Sequence, residues 1–581
     1  MNKSKRTTIK TVFLVVLMLT GIFNVSCGQP KIAQLDKLIS VYAEHGKFNG
    51  SVLVAEKGKI IYSKGFGWAN MEWNIPNQSD TKHRLGSITK QFTSMLIMQL
   101  VQQGKLKSDV PISTYLPDYP KSKGDAITIH HLLTHTSGIP EFTSFPNFYK
   151  DVSRNAYSPQ ELVNYFADST LEFKPGERFS YSNSGYVLLG FIIEKVTGKS
   201  YEQVLQDNIL TPLQMNNTGY DHNATLLKNR ASGYNKFGRG YTHATFADMS
   251  VPYAAGALYS TVEDLYLWDQ ALYTEKLLLK KYMDLLFTEH IWAGRSYYGY
   301  GWFIGEMPIG NTQVKLQTTS HGGSINGFGT LITRIPSDKS FIVLLNNTGG
   351  APLQEMTAAI SGIIYDKPYD FPKKSVAYSL ADVIEKDGIT NALSHYKRVK
   401  DSGDYYLNEG EMNGVGYEFL QSGKAKEAAA IFKLNIEAFP KSFNVYDSYG
   451  EALLILGNKT EAIENYKKSL QLNPGSASGI KVLKELNAYT DTLIKKVSVE
   501  HLKLLAGEYI VTNQPGDWKI QFEEVKGELI GNDRGYRYKL IPVGDNQFVN
   551  PDDGASLVFD TKDKNAITLL LFGKFKFRKG I

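Results

Sequence analysis

Leu85-Gly86-Ser87-Ile88-Thr89-Lys90-Gln91-Phe92 is the stretch from which the rest of this 581-residue chain can be read. It sets a hydroxyl, Ser87, three residues before an amine, Lys90, at the head of an apolar run. On a helix, positions i and i+3 share a face with Cβ atoms roughly 5–6 Å apart, so the amine can reach the hydroxyl. The run that follows, Phe92, Met95, Leu96, Ile97, Met98, Leu100 and Val101, is too apolar for a surface helix and predicts one buried inside a domain. A nucleophile at the mouth of such a helix is held rigidly. Ser-x-x-Lys is weak by itself, since Ser394 with Lys397 and Ser478 with Lys481 repeat it, so its surroundings must decide.

Upstream, residues 34–42 read as an amphipathic helix, and residues 50–55 and 59–63 as a hairpin turning at Lys57-Gly58. Downstream, residues 128–135 read as a short helix closed by Gly138, with Pro140 just beyond. His131 and His135 stand four apart, but no acidic residue lies between them as in a zinc-protease helix. They are read as packed, hydrogen-bonded side chains, and no metal is expected. A Pro175-Gly176 turn leads through Tyr181-Ser182-Asn183 into an apolar helix over residues 187–196. There Ser182 or Asn183 caps the helix, or Tyr181 and Asn183 point together into a cleft. Thr261, followed by Glu263 and Asp264, reads as a structural N-cap. Ser320-His321-Gly322-Gly323-Ser324 precedes two strands, residues 329–333 and 340–345, that turn at Pro336-Ser337-Asp338. Its glycines permit either a bend or the close approach of backbone to a ligand.

In this order and spacing, Ser87-x-x-Lys90, the stretch from His131 to Gly138, Tyr181-x-Asn183 and His321-Gly322-Gly323 resemble the serine beta-lactamase and penicillin-binding-protein superfamily. The likeness is to its class C, D-alanyl-D-alanine carboxypeptidase and esterase branch, and covers roughly residues 32–365. It implies an α/β (α+β) beta-lactamase-like serine hydrolase domain with a mainly antiparallel sheet. It also implies that Ser87 attacks a carbonyl to form an acyl-enzyme while Lys90 and Tyr181 move the proton. Asn183 would hydrogen-bond the acyl side chain, Gly323 would belong to the substrate-binding residues, and the backbone N–H groups of Ser87 and Ser324 would form the oxyanion hole. Lys90 must be neutral, or must by its charge hold Tyr181 as a phenolate; the sequence leaves both open. One position departs from the family. His321 stands where lactamases usually carry Lys, so a permanent positive charge for a substrate carboxylate is missing near neutral pH. Efficient beta-lactam hydrolysis is thereby disfavoured against hydrolysis of a D-Ala-D-Ala-type peptide, amide or carboxylic ester. His321 is expected to face the substrate carboxylate and to bind it more tightly as the pH falls. No metal or organic cofactor is implied. The alternative is a non-catalytic ligand-binding or scaffold protein. Retention of Ser87, Lys90, Tyr181 and Asn183 together favours the enzyme.

The two ends of the chain carry other instructions. Lys3, Lys5, Arg6 and Lys10 lead an apolar run from Val12 to Leu19, followed by Asn24-Val25-Ser26-Cys27, in the manner of a signal peptide with a lipobox. Cys27, the only cysteine, is the expected lipidation site, so no intrachain disulfide is possible and an exported, membrane-anchored lipoprotein of the periplasm or cell surface is expected. Those four basic residues account for most of the formal charge of +6, and nucleic acid is not implied as a partner. Beyond Pro372, residues 416–440 and 450–474 align at an offset of 34, Gly423 with Gly457, Phe432 with Tyr466 and Pro440 with Pro474. They resemble tetratricopeptide repeats, which implies a short helical stack serving as a spacer or as a dock for a protein or peptide. Seven short strands follow between residues 507 and 571, a meander that closes best as a small barrel. The expected organisation is a leader over 1–27, a hydrolase domain over 30–370, helical repeats over 378–490 and a β domain over 498–581.

Overall fold

Val52-Leu53-Val54 and Ile342-Val343-Leu344-Leu345 have no polar face to turn to water, so strands built from them need cover on both sides. In the computed structural model, which describes residues 29–145, 148–489, 495–513, 518–533, 535–563 and 566–580, they lie at the centre of an antiparallel sheet of eight strands. In chain order the strands are β1 Gly50–Glu56, β2 Lys59–Phe66, β3 Ile291–Trp292, β4 Tyr297–Tyr298, β5 Phe303–Pro308, β6 Lys315–Ile325, β7 Phe328–Ile335 and β8 Ser340–Asn346. In space they run β3-β4-β5-β6-β7-β8-β1-β2, so the first and last segments of the domain meet where β1 pairs β8, Val52 opposite Leu344. Alternation along the strands divides the core. Val52, Val54, Ile342 and Leu344 pack beneath helices α1 (Gln29–Glu44) and α6 (Leu353–Ile364), while Leu53, Val343 and Leu345 join the larger core on the other face.

That larger core is built around α2 (Thr89–Gln102), buried at every residue from Thr89 to Leu100, with Phe92 stacked on Trp268 at 4.3 Å. Three further helices border the site: α3 (Ile129–Leu133), α4 (Asn183–Thr197) and α5 (Tyr253–Gly256). Ser182 caps α4, its hydroxyl accepting from the Gly185 N–H, and Thr261 caps its own helix by accepting from Asp264. Together with the described residues up to Lys236, Thr242–Pro372 forms one compact unit.

The second unit comprises Phe237–Tyr241 and the chain from Lys373 onward. Within it the Arg239 guanidinium pairs with Asp382, Glu385 and Glu418. Helix α7 (Val376–Val399) is broken at Gly388, whose φ of 81° is not helical. Two helical hairpins follow, α8 (Glu409–Gln421) with α9 (Ala425–Ala438), and α10 (Phe443–Ile455) with α11 (Lys459–Leu472). The 34-residue offset has a packing cause: Gly416 lets the Phe432 ring lie against its helix, and Gly450 does the same for Tyr466. A Cβ at either glycine would stand 2.2 or 2.9 Å from the ring.

The C-terminal meander is a closed barrel of eight strands: β9 Gly507–Val511, β10 Lys519–Val525, β11 Glu528–Asp533, β12 Tyr536–Gly544, β13 Gln547–Val549, β14 Ser556–Asp560, β15 Thr568–Leu571 and β16 Phe575–Lys579. The eighth strand, β16, goes beyond the seven expected from the sequence. Phe575-Lys576-Phe577-Arg578-Lys579 alternates correctly but is short and cationic, and it is pairing with β9 that makes it a strand. Among the described residues no helix is long and apolar enough to cross a membrane. Cys27 and the leader lie outside the described residues.

Candidate active site

Ser87 sits in a single turn of 3₁₀ helix, Gly86–Ile88, that runs straight into α2. The tight turn needs Gly86 at φ 55°, and a Cβ there would lie 2.9 Å from the backbone N of Ser324. From the other side, a Cβ on Gly323 would stand 1.9 Å from the Leu85 carbonyl oxygen. The two glycines therefore let the end of β6 lie against the serine turn, and the Thr330 hydroxyl, donating to Leu85 O at 2.7 Å, fastens it there. Of the glycines in His321-Gly322-Gly323, Gly323 thus admits the enzyme's own backbone. The stretch lies inside β6 itself, ahead of the two strands expected to follow it. Since β5 pairs with β6 only as far as Ser320, the edge of β6 from His321 to Ile325 has no strand beside it on that side among the described residues.

Lys90 is fully buried, and its Nζ lies 3.1 Å from Ser87 Oγ, 2.7 Å from Asn183 Oδ1 and 2.9 Å from the Ala255 carbonyl oxygen. The ammonium also stands 4.9 Å from the centre of the Tyr181 ring. Burial lowers its pKa to about 7, against the opposing pull of the Glu141 carboxylate. Tyr181 moves the other way: burial raises its pKa, although a hydrogen bond with Ser87 opposes the rise, and the phenol keeps its proton. The two amide and peptide oxygens can only accept, so they take two N–H bonds from Lys90. A neutral amine then has one lone pair left, and Ser87 Oγ is where it points.

Asn183 is committed on both sides. Its Oδ1 accepts from Lys90, its Nδ2 donates to Glu141 Oε1 at 3.1 Å, and its backbone N–H donates to Glu141 Oε2. One Nδ2 hydrogen is left over, so this role inside the enzyme's own network leaves Asn183 a donor for the expected hydrogen bond to the acyl side chain. Glu141 was not picked out by sequence reasoning, although it follows Thr136-Ser137-Gly138 by only three residues and is the nearest acid to that stretch on its C-terminal side.

His321 also turns out differently from expectation. It is 2% exposed, and both ring nitrogens are taken. Gly322 O can only accept, so Nδ1, 2.6 Å away, carries the hydrogen, and Nε2 accepts from the Tyr298 hydroxyl at 3.1 Å. Tyr298 in turn accepts from His135 Nε2 at 3.2 Å, because His135 Nδ1 is occupied by the Ser182 N–H at 3.0 Å. The line His135, Tyr298, His321, Gly322 places every hydrogen and holds no charge. Burial and the nearby Lys90 lower the His321 pKa to about 3 and that of His135 well below its ordinary value. His321 offers a substrate no cation in the neutral range. His135, at a left-handed φ of 57°, stacks on Tyr181 at 4.3 Å and so positions the phenol. His131 faces elsewhere, its Nδ1 accepting from the Thr128 N–H in a capping box. Nothing in the two-residue strand Tyr297–Tyr298 marks Tyr298 in the sequence.

Ser87, Lys90, Tyr181, Asn183, Gly323 and Ser324 thus converge on one place, with Ser87 half-buried and Ser324 exposed. Residues 35–362 match the Beta-lactamase family. Penicillin-binding protein 4* of Bacillus subtilis (strain 168) is 30% identical over 436 residues, 71% of this chain and 91% of that one. The D-amino acid amidase of Ochrobactrum anthropi SV3, in its complex with L-phenylalanine amide, is 25% identical with a TM-score of 0.50, over 57% of this chain and 99% of that one. The octameric penicillin-binding protein homologue of Pyrococcus abyssi, 23% identical with a TM-score of 0.51 over 94% of this chain and 99% of that one, shares the fold. The chain belongs to the beta-lactamase and penicillin-binding-protein family of serine hydrolases.

Proposed function

We propose that this protein hydrolyses a peptide, amide or ester of a D-amino acid through an acyl-enzyme on Ser87. The observation that carries this reading is the set of three oxygens around Lys90 Nζ: two acceptors fix its N–H bonds and leave its lone pair for the Ser87 proton. With a pKa near 7 the amine is substantially neutral at physiological pH, which suits a general base. Ser87 Oγ attacks the carbonyl carbon as its proton passes to Lys90, and the backbone N–H groups of Ser87 and Ser324 receive the oxyanion. Tyr181, protonated at rest, gives its hydrogen to the leaving nitrogen or oxygen and recovers one from Lys90. Water then reverses these transfers to release the acid. The named activity of the Ochrobactrum relative supports a D-amino-acid amide as substrate class.

Purified protein should take a fluorophosphonate label, turn over p-nitrophenyl esters and prefer D- to L-phenylalanine amide. Absence of both label and turnover would overturn the hydrolase reading and favour a ligand-binding role. We further infer that Cys27 carries a lipid that holds the enzyme at the membrane outside the cytoplasm. Cys27→Ser should then release it into the soluble fraction, and a variant still bound would refute the anchor. The two helical hairpins, resembling tetratricopeptide units, are proposed as a spacer or peptide-docking stack.

A further inference from the structure

We infer that the open cavity beside the β6–β7 turn is a subsite for a carboxylate-bearing arm of the substrate, gripped by Arg230 and Lys228. The inference rests on the hydrolase reading and narrows its substrate. The cavity, about 600 Å³, is lined by Arg84, Lys228, Arg230, Phe246, Asn326 and Phe328 among others, and no acidic side chain lines it among the described residues. His243 also lines it, its Nε2 already paired with Glu72. Behind the wall lies one buried carboxylate, Asp221, which holds Arg84 Nε at 2.7 Å and Arg230 Nη1 at 2.8 Å. Arg84, Arg230 and the exposed ammonium of Lys228 stand against two carboxylates, Asp221 behind the wall and Glu72 beside His243, so the cavity keeps a positive charge.

Its place in the fold ties it to the chemistry. Asn326 is two residues past Ser324, in the turn that follows β6. Arg84 is three residues before Ser87. A substrate laid along the open edge of β6 with its carbonyl at Ser87 would have one end by the neutral Tyr298, Phe303 and His321, and the other at this cavity. Phe246 and Phe328 would flank the methylenes of an arm whose anion reaches the cations. The charge missing at His321 is in this way supplied at the opposite end of the strand, by Arg230 and Lys228.

The test uses the full chain and two p-nitrophenyl esters of suberic acid, one ending in a free carboxylate and one in the carboxamide. Wild type is expected to favour the carboxylate in kcat/KM by about tenfold, the size of one charge-assisted hydrogen bond. The preference should shrink with added salt. Lys228→Glu should bring the ratio to one or below, and Arg230→Lys should only reduce it. A wild-type ratio of one, or a ratio unchanged in Lys228→Glu, overturns the subsite. Should neither ester be turned over, the hydrolase reading fails by itself. The subsite is then judged by calorimetric binding of monoethyl suberate to Ser87→Ala: binding weakened by Lys228→Glu sustains it, and no binding overturns it.

Discussion

The neutral amine at Lys90 makes the sharpest claims at the scale of single residues. A base must lose its proton to act, so kcat/KM for a neutral ester should rise with pH along a limb centred near the Lys90 pKa of about 7. The Glu141 carboxylate raises that pKa, so Glu141→Gln should move the limb to lower pH, which a pH–rate profile would reveal; an unmoved limb would separate Glu141 from the base. Lys90→Gln is expected to lower kcat by about 10²–10⁴-fold while leaving the fold in place. His321 yields a different expectation from the one its sequence position suggests. With both ring nitrogens taken and a pKa near 3, it does not titrate between pH 5.5 and 8, and the ratio of kcat/KM for carboxylate-bearing and neutral esters should be flat there. His321→Lys would bury an ammonium beside Lys90 with no carboxylate in the Tyr298 line to meet it. It should cost about 3–5 kcal/mol of stability rather than improve carboxylate binding. A stable His321→Lys protein with gained affinity would contradict the neutral network.

At the scale of elements, the contact between β6 and the serine turn is the joint on which the site depends. Gly323→Ala would set a methyl group 1.9 Å from Leu85 O, so the strand end must move and carry the Ser324 N–H with it. The expected loss is about 10²–10³-fold in kcat, the usual worth of an oxyanion donor, with KM less affected. Near-normal turnover in that variant would place the oxyanion elsewhere. The elements themselves were largely legible: the apolar face of α2, the Pro336 turn and the 34-residue offset are periodic signals that local chemistry writes directly. Their joints were not. Tyr298, Glu141 and the Ala255 carbonyl reach the site from short elements and loops far from Ser87 in sequence, and only tertiary packing brings them to Lys90, Asn183 and His321. The inward turn of His321 was hidden for the same reason, since its partner Tyr298 comes from another strand. Likewise β16 is a strand because β9 needs a neighbour to close the barrel.

For the whole molecule, the buried histidines set the response to acid. His83 and His130, with pKa values near 4, and His321, near 3, stay neutral when folded at pH values where the unfolded chain, with histidines near 6.5, takes up protons. Their folded-state pKa values are depressed, so the stability they contribute is present above about pH 6.5 and is lost as the pH falls toward 4 and 3. The melting temperature should decline steadily over that window, and a melting temperature constant from pH 7 to 4 would deny it. The chemistry depends on Ser87 being the activated hydroxyl among many serines, two of which repeat the same tetrapeptide spacing. Peptide mapping by mass spectrometry after brief exposure to a fluorophosphonate or an activated ester tests that most directly. The expected result is a single adduct on Ser87, formed faster as the pH rises through about 7 and absent in Ser87→Ala. An adduct on Ser394 or Ser478, or one on Ser87 whose rate ignores pH, would contradict the account.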